Sequence, residues 1–336
     1  MSDQSPPSSP FAVREPEPPR FEPLDRHWAL EPQPVPPPPP RIGLHALLLF
    51  LTFVTTTWMG LAHYYGFLVD FVPRPLLFTS RADLLAGALW YSVPVMTMLA
   101  AHEAGHYLAC RHYGIDATLP YFLPLPAFIG LSGTLGAFIR IRGRILRKAV
   151  LFDVGVAGPL AGFAVLVPML VAGVAMSRMV KLPADFVGFE LGEPLLFQLV
   201  SRAIWGPVPD GYSLNLHPMA FAAWFGMLMT ALNLFPIGQL DGGHISYAVL
   251  GDRSTHLTLG ALAIVIGLAV FFPSWILWAV LLVVMLRVFG LRHPPTEDHE
   301  VALDSRRLVV AALALLVFAA CFTPAPIQPY ELIKPR

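Results

Sequence analysis

The chain has 336 residues, of which 55% are hydrophobic and 13% charged, and its mean hydropathy is +0.61. A soluble globular chain carries about 25% charged residues, so this composition is typical of a membrane protein. The formal net charge is zero, which offers no basic surface for nucleic acid, and two cysteines are too few for a disulfide framework.

Residues 1–41 differ in composition from the rest of the chain. The segment is rich in proline, ends in "PQPVPPPPPR" and contains little contiguous apolar sequence. It cannot bury enough surface to fold alone, which predicts a disordered or polyproline cytoplasmic tail. A binding segment for a proline-reading domain is the alternative interpretation.

Apolar runs predict an all-α polytopic membrane protein with about six or seven transmembrane helices. The runs lie at about 42–62, 86–110, 150–176, 216–250, 257–272, 274–290 and 308–323. Residues 42–290 then form the transmembrane domain with its core at 86–250, and 291–336 form a cytoplasmic loop, a last transmembrane helix and a short tail.

The fourth run is too long for one crossing and contains "NLFPIGQLDGG". Its proline and glycines predict a broken helix. Irregular backbone inside a bilayer is tolerated where it lines a cavity in the protein. The break therefore indicates a functional site.

Basic residues predict the orientation in the membrane. The segment "RIRGRILRK" at 140–148, together with Arg111, lies between the second and third runs. Lysine and arginine concentrate in cytoplasmic loops, so this segment and the N-terminus are predicted to be cytoplasmic. The pattern favours a bacterial cytoplasmic membrane.

The second run contains "MLAAHEAGHYLAC" at 98–110. Residues four apart lie on one helix face, so His102 and His106 can bind one metal ion. In H-E-x-x-H helices two imidazoles hold zinc and the glutamate, here Glu103, is the general base. Ionisable residues in a membrane span cost a few kcal/mol each on insertion scales, which favours a function over the alternative of satisfied core histidines.

A third ligand is expected from another span at similar depth, and Asp241 fits. His102 lies nine residues before Arg111 and Asp241 twelve before Arg253. At 1.5 Å per residue these separations are about 13 and 18 Å. The alternative is that Asp241 is a turn or helix-capping aspartate preceding two glycines.

Between the second and third runs lies "TLPYFLPLPAFIGLSGTLGAFIRIR" at 118–142, which is too interrupted by proline and glycine for a helical span. Its end, "TLGAFIRIR", alternates like a β-strand. Further along, Gly158 and Gly162 form a G-x-x-x-G pair that predicts close contact of the third span with the second. His244 is predicted to support the site by hydrogen bonding or to help begin a helix.

Together, "HEAGH", "NLFPIGQLDGGH" and "LFDVGVAGPLAG" (151–162) resemble the motifs of the site-2 protease family, zinc metalloproteases that cut substrates within the membrane. With no insert large enough for a PDZ domain, the chain is similar to the branch without that domain found in cyanobacteria and plastids. The resemblance implies that His102, His106 and Asp241 hold one Zn²⁺ and that Glu103 is the catalytic acid and base.

The resemblance also implies sites for substrate. Asn233 would lie near the substrate backbone or the reacting carbonyl, with the alternative that it satisfies backbone groups freed by the helix break. Residues 118–142 would form a membrane re-entrant hairpin that offers an edge to substrate, including Gly133 and Gly136. The alternative is a packed interfacial loop.

The expected function is zinc-dependent cleavage of transmembrane segments of membrane-anchored proteins in the lipid bilayer. A metal transporter or a non-catalytic membrane scaffold is the alternative. The external half of the second span, "LLAGALWYSVPVMTML", contains no Asp, Glu, His, Lys or Arg, which disfavours a transport path.

Overall fold

A computed structural model describes residues 41–72, 79–126, 130, 132–183, 186–290, 293–298 and 300–331. The predicted N-terminal tail at 1–41 lies outside these residues except for Arg41.

Helices dominate the described part of the chain, as predicted from the apolar runs. They are α1 (Ile42–Val69), α2 (Arg81–His112), α3 (Lys148–Ala175), α4 (Leu195–Trp205), α5 (Pro218–Leu234), α6 (Asp241–Leu250), α7 (Ser254–Phe271), α8 (Ile276–Phe289) and α9 (Ser305–Cys321). Short strands accompany them: β1 (Tyr121–Pro124), β2 (Thr134–Phe138), β3 (Arg178–Lys181), β4 (Val187–Leu191), β5 (Tyr212–Asn215) and β6 (Ile327–Glu331).

The described helices include four stretches that are long and apolar enough to cross a membrane, so the chain is a multi-pass membrane protein. These are Ile42–Val69, Arg81–His112, Lys148–Ala175 and Asp241–Phe271. The fourth joins α6 and α7 and is interrupted at Gly251, which ends α6 with a φ of +60°. The count of six or seven crossings stays a prediction.

Glycines allow α2 and α3 to pack very closely. A Cβ at Gly105 would lie 2.4 Å from the carbonyl oxygen of Ala157, and Gly158 and Gly162 face His106 and His102. The close contact predicted from the G-x-x-x-G pair is confirmed. The core continues from α3 to α5: Leu166 and Leu170 of α3 and Met227 of α5 are at most 1% exposed.

The predicted helix break lies between α5, which ends at Leu234, and α6, which begins at Asp241. Gly238 in the connection has a φ of +54°. Cβ atoms at Gly242 and Gly243 would lie 2.0 and 2.2 Å from the carbonyl oxygens of Leu234 and Gly238. Only glycine fits there, which is why the first turn of α6 can fold back against the end of α5.

Strands β1 and β2 form an antiparallel hairpin between α2 and α3, with Phe122 opposite Ala137 and Leu123 opposite Gly136. The strand predicted from the alternating pattern at 134–142 is present, although β2 ends at Phe138. Three side chains tie the hairpin to α1 and α2: His45 to the Pro120 carbonyl, Thr55 to the Gly133 carbonyl and Tyr91 to the Ser132 carbonyl.

Helices α3 and α9 run in the same direction through the molecule. Near their first turns the Arg307 guanidinium donates to the Asp153 carboxylate at 2.9 Å. Beyond their last turns β6, which follows α9, pairs antiparallel with β4, which follows α3. The strands β3 to β5 and helix α4 were not predicted, because residues 177–215 lack a long apolar run, and β6 lies in the short segment after α9.

Candidate metal centre

Three potential metal-binding side chains converge at the junction of α2 and α6. Nε2 of His102 lies 3.2 Å from Oδ2 of Asp241, and Nε2 of His106 lies 3.3 Å from Oδ1. The two imidazole Nε2 atoms are 3.1 Å apart. One turn of α2 separates the histidines, and the helix break delivers Asp241 as the first residue of α6. The structure thus brings together the three ligands predicted from sequence.

Helix α3 fixes the orientation of His106. Its Nδ1–H donates to the carbonyl oxygen of Val154 at 2.7 Å, and the ring is 7% exposed. In a neutral imidazole, a proton held at Nδ1 leaves the lone pair on Nε2. That lone pair points toward Asp241.

This donor set fits a metal cation. Two imidazole nitrogens and a carboxylate, all buried or half-buried, supply ligand atoms within 4.8 Å of one another. A cation placed among electron-pair donors this close together would bind to all three. Two nitrogens and an oxygen are also among the three-ligand sets that catalytic zinc sites use.

Glu103 follows His102 in α2 and is 3% exposed. One oxygen, Oε2, is buried without a hydrogen-bond partner among the described residues. An unsatisfied buried acceptor costs about 1–3 kcal/mol, so it calls for an explanation beyond packing. A role in accepting a hydrogen bond from water or substrate would explain it.

A small cavity adjoins this oxygen. It has a volume of about 30 Å³, which is room for about one or two water molecules. Its wall is formed by Met98, Leu99, His102, Glu103, Ala137, Gly162, Leu166, Gly226, Met229, Thr230 and Asn233.

Asn233 lies in the last turn of α5, directly before the helix break. Its side-chain Nδ2 is 3.3 Å from Nε2 of His102, and the residue lines the cavity. The structure therefore places Asn233 beside the cluster of His102, His106 and Asp241, and its role near the substrate stays a prediction.

The two hairpin glycines predicted to contact substrate lie in different surroundings. Gly136 has a φ of +107°, and a Cβ there would lie 2.9 Å from Cε of Met229, which lines the cavity. Gly133 has a φ of +74° and packs instead on α1, where a Cβ would lie 2.6 Å from the carbonyl oxygen of Thr55. Only Gly136 is brought near Glu103.

His244 contacts His293, a residue for which no sequence pattern indicates a role. Its Nδ1 lies 2.7 Å from Nε2 of His293, whose ring stacks on Tyr247 at a centroid distance of 4.3 Å. His244 also packs against Gly155 of α3. No motif marks His293, because the loop before α9 reaches α6 only in the folded chain.

Gly158→Ala is expected to weaken metal binding at least about 10-fold, as changes to residues surrounding metal ligands typically do. A Cβ at this position would lie 2.1 Å from Nε2 of His106, so the ring must turn or α2 must move away from α3. Bound metal per chain, measured by elemental analysis during titration with a chelator, checks this.

Gly260→Ala in α7 is the matched control, because among the described residues no heavy atom outside its chain neighbours and its own helix backbone lies within 4 Å of its Cβ position. This control should keep its metal and be at least as stable as the wild type, since alanine favours a helix more than glycine does. A Gly158→Ala protein with wild-type metal affinity would show that α3 does not constrain His106.

The chain is similar in sequence to a known family of peptidases. The family model described as Peptidase family M50 matches residues 90–274. The probable zinc metalloprotease EGY2, chloroplastic, of Oryza sativa subsp. indica is 29% identical over 266 residues, covering 74% of this chain and 45% of the relative. The probable zinc metalloprotease EGY1, chloroplastic, of Arabidopsis thaliana is 30% identical over 184 residues, covering 52% of this chain and 33% of the relative.

The chain therefore spans less than half the length of these curated relatives. No solved structure gives a significant match.

Proposed function

The chain belongs to peptidase family M50, the site-2 protease family, and on this basis we propose that it is a zinc-dependent endopeptidase cutting protein substrates within the membrane. The observation that carries the proposal is the junction of α2 and α6. There, three converging donors adjoin a buried glutamate, one oxygen of which has no partner in the part of the chain that the structure describes.

We propose one Zn²⁺ per chain, held by Nε2 of His102, Nε2 of His106 and the carboxylate of Asp241. The hydrogen bond from His106 to the Val154 carbonyl supports this assignment, because it directs the Nε2 lone pair into the cluster. When bound, zinc supplies Lewis-acid chemistry that polarises a peptide carbonyl and activates water.

Glu103 is the proposed acid and base. Its unpartnered Oε2 can accept a proton from the attacking water and then deliver it to the amine of the leaving peptide. A small cavity whose wall includes Glu103 leaves room beside it for a water molecule or a small substrate group. A general base needs hydrogen-bond reach to its proton, and this arrangement supplies it.

Asn233 is the proposed hydrogen-bond donor to the reacting carbonyl. Its amide lies next to His102, in the wall that any peptide beside Glu103 must touch. A donor fixed in position stabilises negative charge that develops on the carbonyl oxygen during reaction.

Hairpin strand β2 is the proposed edge for substrate. Ala137 of β2 and Glu103 line the same cavity, so a peptide paired with β2 would pass Glu103. Peptide cleavage needs extended backbone, and β-augmentation holds an unwound segment by main-chain hydrogen bonds. We propose that the hairpin re-enters the membrane and that Gly136 contacts substrate, whereas the contact of Gly133 with α1 favours a structural role.

The proposed topology has six or seven crossings with a cytoplasmic N-terminus. Residues 42–290 carry the protease and 1–41 a cytoplasmic tail. The shared direction of α3 and α9 supports a crossing by α9 that begins on the same side as the basic segment. We propose a bacterial cytoplasmic membrane on the positive-inside pattern alone, since the relatives named above carry a chloroplast designation.

The test combines metal analysis with a cleavage assay. Purified full-length protein in detergent is expected to contain about one zinc per chain. It should cut at least one member of a panel of tagged single-span apolar segments containing glycine, proline or asparagine, with cut sites read by mass spectrometry. Chelation should abolish cleavage, and added Zn²⁺ but not Mg²⁺ should restore it.

The contrary outcomes separate the alternatives. Folded protein that binds no zinc would contradict the metalloprotease proposal. Zinc-loaded protein that leaves every panel member intact, both in detergent and in lipid vesicles, would favour a scaffold or transporter.

A further inference from the structure

The cavity beside Glu103 ends on an apolar floor. Met98 and Leu166, which are 5% and 1% exposed, meet there at Gly226 of α5. A Cβ at Gly226 would lie 2.8 Å from Sδ of Met98 and 3.1 Å from Cδ1 of Leu166. The three residues therefore lie together at the end of the cavity. Because Gly226 has no side chain, Met98 and Leu166 are not pushed further into the cavity.

The floor lies about one helical turn from the reacting groups. Met98 precedes His102 by four residues in α2, and Leu166 follows Gly162 by four residues in α3. Four residues of helix rise about 6 Å. A group that enters beside Glu103 and points along the cavity meets Met98 and Leu166 within that distance.

The size of the cavity limits what can enter. At about 30 Å³ it accepts a methyl or hydroxyl group, whereas a leucine or phenylalanine side chain would have to displace Met98 and Leu166. These two side chains belong to the packed core, which resists the insertion of extra methylene groups. One methylene in an apolar pocket changes discrimination by about 10- to 200-fold.

We infer that this cavity is a side-chain pocket selecting a small residue, glycine, alanine, serine or cysteine, at one side of the scissile bond, with Met98, Leu166 and Gly226 setting its size. The inference rests on the proposed function. It narrows the substrates from membrane segments in general to those carrying a small residue at one fixed position.

The test uses a segment from the panel that wild-type protein cuts in a chelator-sensitive manner. Gly, Ala, Leu and Phe are placed in turn at each residue flanking the cut, and the rates are compared by mass spectrometry. At one flank the wild type is expected to cut the alanine segment at least about 10-fold faster than the leucine segment.

Leu166→Ala enlarges the floor and is expected to reduce that alanine preference at least about 10-fold. Leu170→Ala is the matched control, since it shortens the same side chain in the same helix, one turn beyond the cavity lining. This control should keep the wild-type ratio.

Gly226→Ala makes the cavity smaller instead of larger. It also provides the test if Leu166→Ala does not fold. Its methyl group would press on Met98, so glycine should become preferred over alanine by about 10-fold relative to wild type.

The possible failures are distinguishable. No chelator-sensitive cleavage of any panel member contradicts the proposed function and this inference with it. Cleavage with no size preference at either flank contradicts the pocket alone and leaves the cavity as a water site. Equal alanine-to-leucine ratios for Leu166→Ala and Leu170→Ala would likewise contradict the pocket alone.

Discussion

Glu103→Gln is expected to lower the cleavage rate by about 10²- to 10⁴-fold, the range that general acid and base groups contribute. Glutamine keeps the shape of glutamate, but it cannot take a proton from water. Since Glu103 is not among the three converging donors, the variant should retain about one zinc per chain.

Single-turnover cleavage of a panel segment, with elemental analysis of the same sample, measures both quantities. Glu190→Gln on strand β4 is the matched control, because this glutamate is exposed and should affect neither quantity. A Glu103→Gln enzyme with wild-type rates would remove this carboxylate from catalysis. Loss of zinc would instead assign it to the metal site.

Asp241→Ala is expected to lose zinc. The substitution removes the carboxylate that lies 3.2 and 3.3 Å from the two histidines and leaves two donors in place of three. Changes in residues that merely support metal ligands cost about 10- to 100-fold in affinity, so removal of a ligand should exceed about 100-fold. Cleavage should fall with zinc occupancy.

Competition with a chelator of known affinity gives the zinc constant. Asp252→Ala, at the exposed aspartate after α6, controls for loss of a carboxylate near this helix. Asp241→Asn separates the effect of charge from that of shape. If Asp241→Ala binds zinc like wild type, another group completes the site, and His244 would be the first residue to replace.

The clustering of the metal-site residues could be predicted from the sequence because each carries its own pattern. His102 and His106 are one helical turn apart, and the proline and glycines around Asp241 mark a broken helix inside an apolar run. The family predicted from these motifs is confirmed by the match to residues 90–274. The residue spacing within each motif and the estimated depth of each motif in the membrane were sufficient to predict that these three side chains cluster.

Contacts between distant segments could not be predicted in the same way. The partner of His244 lies 49 residues away in the loop before α9, with no periodicity to reveal it. Gly133 and Gly136 look alike in sequence, yet one packs on α1 and the other faces α5. Residues 177–215 contain short strands whose partners are set by where the helices end.

The pairing of β4 with β6 also bears on how the protein is made. A ribosome emits these strands about 140 residues apart, which at about 5–20 residues per second is a delay of roughly 7–28 seconds. During that interval β4 has no β6 to pair with, while α2 and α6, which carry the metal-site residues, have already been synthesised. Pairing of β4 with β6 is thus a late step, which follows the synthesis of the two helices that carry His102, His106 and Asp241.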